Sequence, residues 1–129
     1  MHLFARDIMS RDIVTVSEET SLKEALDIMK EQNVSSLLVS CRADRPFGIV
    51  TRHDMIRALV VKKIPEDWPV SDIMTAPILF ATPNLRAEDA AVMMARYRIR
   101  RLPVFRKGEI VGIISNTDIF NSLPYPSSL

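Results

Sequence analysis

The stretch Gly48-Ile49-Val50-Thr51-Arg52-His53-Asp54 has a second copy, Gly112-Ile113-Ile114-Ser115-Asn116-Thr117-Asp118, with glycine, two β-branched residues, a hydroxyl and an aspartate in the same order. Working outward, an offset of 65 residues lays Asp7-Ile8-Met9 on Asp72-Ile73-Met74, Ala25 on Ala90, Met29 on Met94 and Val39 on Val104. The offset falls to 64 at the glycines, so one residue has been lost from the turn before them. The period exceeds that of most solenoid units and there are only two copies. That predicts two halves packed face to face about a pseudo-twofold axis with a shared core, not an open array.

Each copy reads strand, helix, strand, strand, helix. In the first, residues 13–16 are β-rich, and Ser21-Leu22-Lys23-Glu24 is a capping box opening a helix. Leu22, Ala25, Leu26, Ile28 and Met29 form its buried stripe, and it ends near Gln32-Asn33. Residues 37–40 and 47–51 are apolar enough for buried strands joined by a polar turn over 41–46, and 54–60 reads as helix. The second copy predicts a helix over 87–97, strands over 102–105 and 109–115, and a turn at Arg106-Lys107-Gly108. The expected fold is therefore α/β (α+β), two β-α-β-β-α repeats forming one module. The expected divisions are a first motif at 7–60, a connector at 61–71, a second motif at 72–122 and a loose tail at 123–129. Two prolines between Lys63 and Pro69 mark the connector as exposed.

Composition narrows the function. The 129 residues make one ordinary domain, and 17 Lys+Arg against 16 Asp+Glu leave a net charge of +1, without a global field to attract nucleic acid or an anionic membrane. Any anion site must be local. Cys41 is the sole cysteine, so no internal disulfide is possible, and the opening MHLFARDIM lacks the pattern of a signal peptide. No apolar run approaches the roughly 20 residues needed to cross a bilayer. A soluble, cytoplasmic protein is expected. Two histidines, one cysteine and no clustered carboxylate pair leave no evident base, nucleophile or metal set, which argues against an enzyme.

The Asp-Ile-Met opening, the Ala and Met of the first helix, Leu102-Pro103-Val104 and the Gly-x-x-Thr/Ser-x-x-Asp close together resemble the CBS motif, present twice over residues 7–60 and 72–122. The resemblance implies a tandem CBS pair (Bateman module) with two clefts for AMP, ADP, ATP, S-adenosylmethionine or a similar adenosyl ligand. It implies regulation of an enzyme or transporter, and pairing through helices into a homodimer, a disc of four motifs. Met55, Ile56, Leu59, Val60, Ile119 and Phe120 offer the apolar surface for that pairing.

The chemistry of adenosine fits these residues. A carboxylate accepts from both ribose hydroxyls, and phosphate seeks backbone N–H groups, a hydroxyl and a guanidinium. Thr51-x-x-Asp54 and Ser115-x-x-Asp118 stand where a strand gives way to a helix. Read by themselves they are equally capping boxes that satisfy the helix's own N–H groups. By resemblance, the hydroxyl holds phosphate and the aspartate ribose, each with the residues before the buried strand of the other copy. Cleft A then combines Thr51, His53, Asp54 and Thr75 with Ile99, Arg100, Arg101 and Pro103. Cleft B combines Ile113, Ser115, Thr117 and Asp118 with Ser10, Thr15, Val34, Ser35 and Ser36, and is poorer in positive charge. Arg96 and Arg98 read as helix-end cations. His53 has a bland reading as an exposed loop residue. Met9, Met29, Met74, Met93 and Met94 read as core, and Trp68 as a helix cover or a partner contact. The rival function is a structural dimerisation or scaffold module whose boxes are only caps.

Overall fold

Ser21 opens its helix as the sequence predicts, with Oγ accepting from the Glu24 amide at 3.1 Å. Asn33 closes it in the left-handed region (φ 52), a conformation that asparagine tolerates better than most residues. The computed structural model describes residues 2–41 and 47–124; residues 42–46 of the expected turn and 125–129 of the expected tail lie outside them. The elements are α1 (Ala5–Ile8), β1 (Thr15–Ser17), α2 (Leu22–Gln32), β2 (Ser36–Ser40), β3 (Phe47–Thr51), α3 (Arg52–Ile56), α4 (Ala87–Arg96), β4 (Arg101–Arg106), β5 (Glu109–Ser115) and α5 (Asn116–Ser122). A π-helical turn, Arg57–Val61, follows α3, and a 3-10 turn spans Val70–Asp72. The chain is thus mixed α/β with two repeats.

The described residues sort into two units. Unit I is residues 13–78, and unit II is 2–12 with 79–124. In unit I, β1 runs parallel to β2, and β2 antiparallel to β3, in the order β1-β2-β3. The register sets Leu37 opposite Val50 and Val16 beside Val39. Leu22, Ala25 and Met29 of α2 join these residues with Met55, Ala58 and Val70 in one buried cluster. Each large apolar side chain so buried contributes about 1.5–3 kcal/mol. Most connector side chains are exposed, but Val70 is buried, Ile64 packs on the core, and the backbone is docked. The carbonyls of Glu66 and Trp68 accept from Lys23 and Leu22, at 2.9 and 2.8 Å, satisfying N–H groups that the first turn of α2 leaves over.

In unit II, β4 and β5 form a hairpin whose two turn residues, Lys107 and Gly108, both have positive φ (50 and 87), as a turn matching strand twist requires. Ala5, Ala81, Ala90, Met94, Leu102, Val104 and Ile114 form the buried cluster. Each unit has one buried cluster of its own, and Leu38, Ala87 and Pro103 are buried outside both clusters. A local reading could not foresee that each unit takes its Asp-Ile-Met segment from the other sequence copy. Ser10 pairs with Ile113, and Thr75 with Ile49. Gly112 and Gly48 are needed where those segments cross: a Cβ would lie 2.5 Å from Met9 Sδ at the one and 2.8 Å from Met74 Sδ at the other.

The second copy lacks a full first strand, and its counterpart is a single bridge, Ala81 to Val104. The reason is chemical. In unit I the Leu38 amide donates to the Val14 carbonyl at 2.9 Å. Pro103 stands at the equivalent place and has no N–H to give. Two further expectations change. The helix over 54–60 is α3 followed by the wider π-turn, in which the Lys62 amide reaches the Arg57 carbonyl. Met55, expected at the surface, is core at 2% exposure, whereas Ile56, Val60 and Phe120 are exposed.

Candidate functional site

The two Thr/Ser-x-x-Asp stretches fold alike. In unit I, Thr51 Oγ1 accepts from the Asp54 amide at 3.2 Å and Asp54 Oδ2 accepts from the Thr51 amide at 2.8 Å. In unit II, Ser115 and Asp118 repeat the box with the same two distances. The capping reading is therefore correct as far as it goes. Each box uses Oδ2, and a carboxylate has about four acceptor sites, so Asp54 and Asp118 retain capacity for a further donor. All four residues are half-buried.

Register supplies the surroundings. Ser36 pairs with Thr51, and the Ser35 carbonyl accepts from the Arg52 amide at 3.0 Å, so the serines assigned to cleft B lie beside the box assigned to cleft A. In unit II, Arg101 pairs with Ser115 and the Arg100 carbonyl accepts from the Asn116 amide at 3.1 Å. The sequence reading missed this pairing within each copy because it follows from hairpin register. Of the other cleft A residues, His53 and Thr75 are exposed in unit I. His53 Nε2 lies 2.9 Å from Arg57 Nη2; the guanidinium only donates, so Nε2 accepts. In unit II, Ile99 packs against the core, Arg100 is exposed, Arg101 is half-buried, and Pro103 is fully buried with its carbonyl accepting from Ala81. Of the cleft B residues, Thr15 is exposed on β1 and Val34 packs on the core of unit I. Ser10 and Ile113 exchange backbone hydrogen bonds in unit II, Ser10 Oγ accepts from Asp12, and Thr117 is exposed.

A cavity of about 170 Å³ in unit I is lined by Asp54, Arg57, Ala58, Lys62, Asp72 and Met74 among others. It gives Asp54 two cationic neighbours that the motif did not single out. The signal was present, since Arg57 is three residues on from Asp54 and shares its helix face. Among the described residues no three His, Cys, Asp or Glu side chains are grouped to hold a metal, and no helix is long and apolar enough to cross a membrane.

The family model described as CBS domain matches residues 5–61 and 70–125. Among curated proteins, an uncharacterized protein of Methanocaldococcus jannaschii is 35% identical over 118 residues, 92% of this chain and 42% of that protein. The inosine-5'-monophosphate dehydrogenase of Korarchaeum cryptofilum is 35% identical over 127 residues, which is 95% of this chain but 25% of that enzyme. The chain thus spans less than half of either relative. Among solved structures, a hexameric CBS-CP12 protein from bloom-forming cyanobacteria superposes with TM-score 0.86 at 34% identity, over 93% of this chain and 70% of that one. The CBS domain pair of protein MJ0100, in complex with 5'-methylthioadenosine and S-adenosyl-L-methionine, gives 0.80 at 25% identity, over 94% and 95%. CBSX2 in complex with AMP gives 0.76 at 25% identity, over 93% and 95%.

Proposed function

Because the chain belongs to the CBS-domain family, we propose that it is a non-catalytic regulatory module that binds an adenosyl ligand and reports its presence to a partner. The observation that carries this reading is the pair of half-buried aspartates, Asp54 and Asp118, each fixed by its box through Oδ2 with acceptor capacity left for ribose. The complexes of similar CBS pairs with AMP and with S-adenosyl-L-methionine support the ligand class. The match to a dehydrogenase stops at a quarter of that enzyme, so no catalysis is carried over.

In this proposal Thr51, His53, Asp54 and Thr75 act with Ile99, Arg100, Arg101 and Pro103 on one nucleotide. Asp54 takes the ribose and the guanidinium of Arg101 takes the phosphate. Ser10, Thr15, Val34, Ser35, Ser36, Ile113, Ser115, Thr117 and Asp118 serve the second site. Exposed Ile56, Val60 and Phe120 (56%, 66% and 72%) support self-association as a homodimer.

Thermal unfolding with adenosine, AMP, ADP, ATP and S-adenosylmethionine tests the function. A ligand at about 100 times its dissociation constant adds roughly 2.7 kcal/mol, so Tm rises by several degrees. If none of them moves Tm at millimolar concentration, the boxes are caps alone and the module is a scaffold.

A further inference from the structure

Away from both aspartates, unit II has a groove of about 310 Å³ lined by Arg6, Pro83, Asn84 and Arg106. Arg6 is held in place from two sides. Its Nη1 donates to Asn84 Oδ1 at 2.7 Å, and its guanidinium carbon lies 4.5 Å from the centroid of the Phe4 ring. Among the described residues no carboxylate lines the groove. Of the acids close by in sequence, Asp7 accepts from the Phe4 amide and Glu88 pairs with Arg86, while Glu109 stands opposite Arg106 in the hairpin register without lining the groove. Two guanidiniums in one groove repel each other unless an anion lies between them.

The internal repeat shows that the fold does not require this charge. In unit II the Ala5 amide donates to the Leu85 carbonyl and the Arg6 amide to that of Pro83, at 2.7 and 3.1 Å. In unit I the Val70 amide donates to Thr20 and the Ser71 amide to Glu18, at 2.8 and 3.2 Å. The bridges Phe4 to Arg86 and Pro69 to Ser21 correspond as well. On this common backbone the places of Arg6, Pro83, Asn84 and Arg106 are taken in unit I by Ser71, Glu18, Glu19 and Cys41. One backbone thus carries cations in one unit and carboxylates in the other.

We propose that the groove between Arg6 and Arg106 is an oxyanion site that takes a phosphate, free or carried on a small metabolite. Paired guanidinium forks match the geometry of phosphate oxygens, and the asparagine fixes one fork in position.

The test is an NMR titration of the whole chain with inorganic phosphate, and separately with glucose 6-phosphate, against chloride at matched ionic strength. Saturable shifts at Arg6, Asn84 and Arg106 are expected. Arg6→Gln and Arg106→Gln each weaken binding by about tenfold or more. Asp54→Ala and Asp118→Ala leave it unchanged, which separates this groove from the proposed nucleotide sites. Binding of inorganic phosphate identifies a free ion as ligand; binding of the sugar phosphate alone identifies a phosphorylated metabolite. The rest of each variant's spectrum reports that it is folded. The proposal is overturned if neither compound gives saturable shifts at these residues, or if the shifts persist in both arginine variants.

Discussion

Units I and II carry the same box on different ground. Thr51 with Asp54 and Ser115 with Asp118 share both hydrogen-bond distances, 2.8 and 3.2 Å. Beside the first lie Ser35 and Ser36, and beside the second Arg100 and Arg101. The first strand of unit I is complete, and that of unit II is reduced to a bridge by one proline. The positions that line the arginine groove of unit II are serine, two glutamates and a cysteine in unit I. Backbone geometry is therefore common to the repeat, while charge is set copy by copy. Chemistry that depends only on the box should be shared, and chemistry that depends on its neighbours should differ.

The sharpest way to break the comparison is in the cores. Leu37→Ala and Leu102→Ala remove equivalent, fully buried side chains, and each should cost about 2–5 kcal/mol. Hydrogen exchange should show Leu37→Ala loosening residues 13–78 first and Leu102→Ala loosening 79–124 first. Equal loss of protection in both regions would show a single cooperative core.

Next comes affinity. Arg101→Ala should weaken AMP by about 1.5–3 kcal/mol and adenosine hardly at all, because only AMP carries phosphate. Asp54→Ala should weaken both. Calorimetry in which Asp118→Ala abolishes AMP binding while Arg101→Ala and Asp54→Ala preserve it would move the working site to the serine-lined residues of cleft B.

The caps should behave as equals. Thr51→Ala and Ser115→Ala should each cost about 1 kcal/mol in denaturant unfolding without ligand, and a clear inequality would mean that one box bears load the other does not. The smallest effect is at Pro103. Pro103→Leu restores a ladder N–H worth about 1 kcal/mol, offset by the greater freedom of the unfolded chain. Stability should change little, while the new amide at 103 should be protected from exchange, as that of Leu38 is by Val14.

Much of this was legible in the sequence because it is local. The strands over 47–51 and 109–115 and the helix opened by Ser21 follow from alternation, apolar stripe and cap. Both Thr/Ser-x-x-Asp boxes were readable from spacing alone. The π-turn over Arg57–Val61 was not, since its residues suit an ordinary helix equally well. The short helix Ala5–Ile8 was also missed, because its anchors are distant: Ala5 donates to the Leu85 carbonyl, and Arg6 reaches Asn84 across 78 residues. The lost strand at Ala81 could have been read from Pro103, had the missing donor been traced to the strand it should have bound. Arg57 and Lys62 beside Asp54 escaped a motif search that stops at the aspartate.

The division of the chain also sets an order of assembly during synthesis. Unit I is one unbroken run, residues 13–78, and can close as soon as that run has left the ribosome. Unit II needs both residues 2–12 and β5, which the chain supplies before and after unit I, since Ser10 must pair with Ile113. Residues 2–12 therefore wait through the synthesis of unit I, and of most of unit II, for their partner strand.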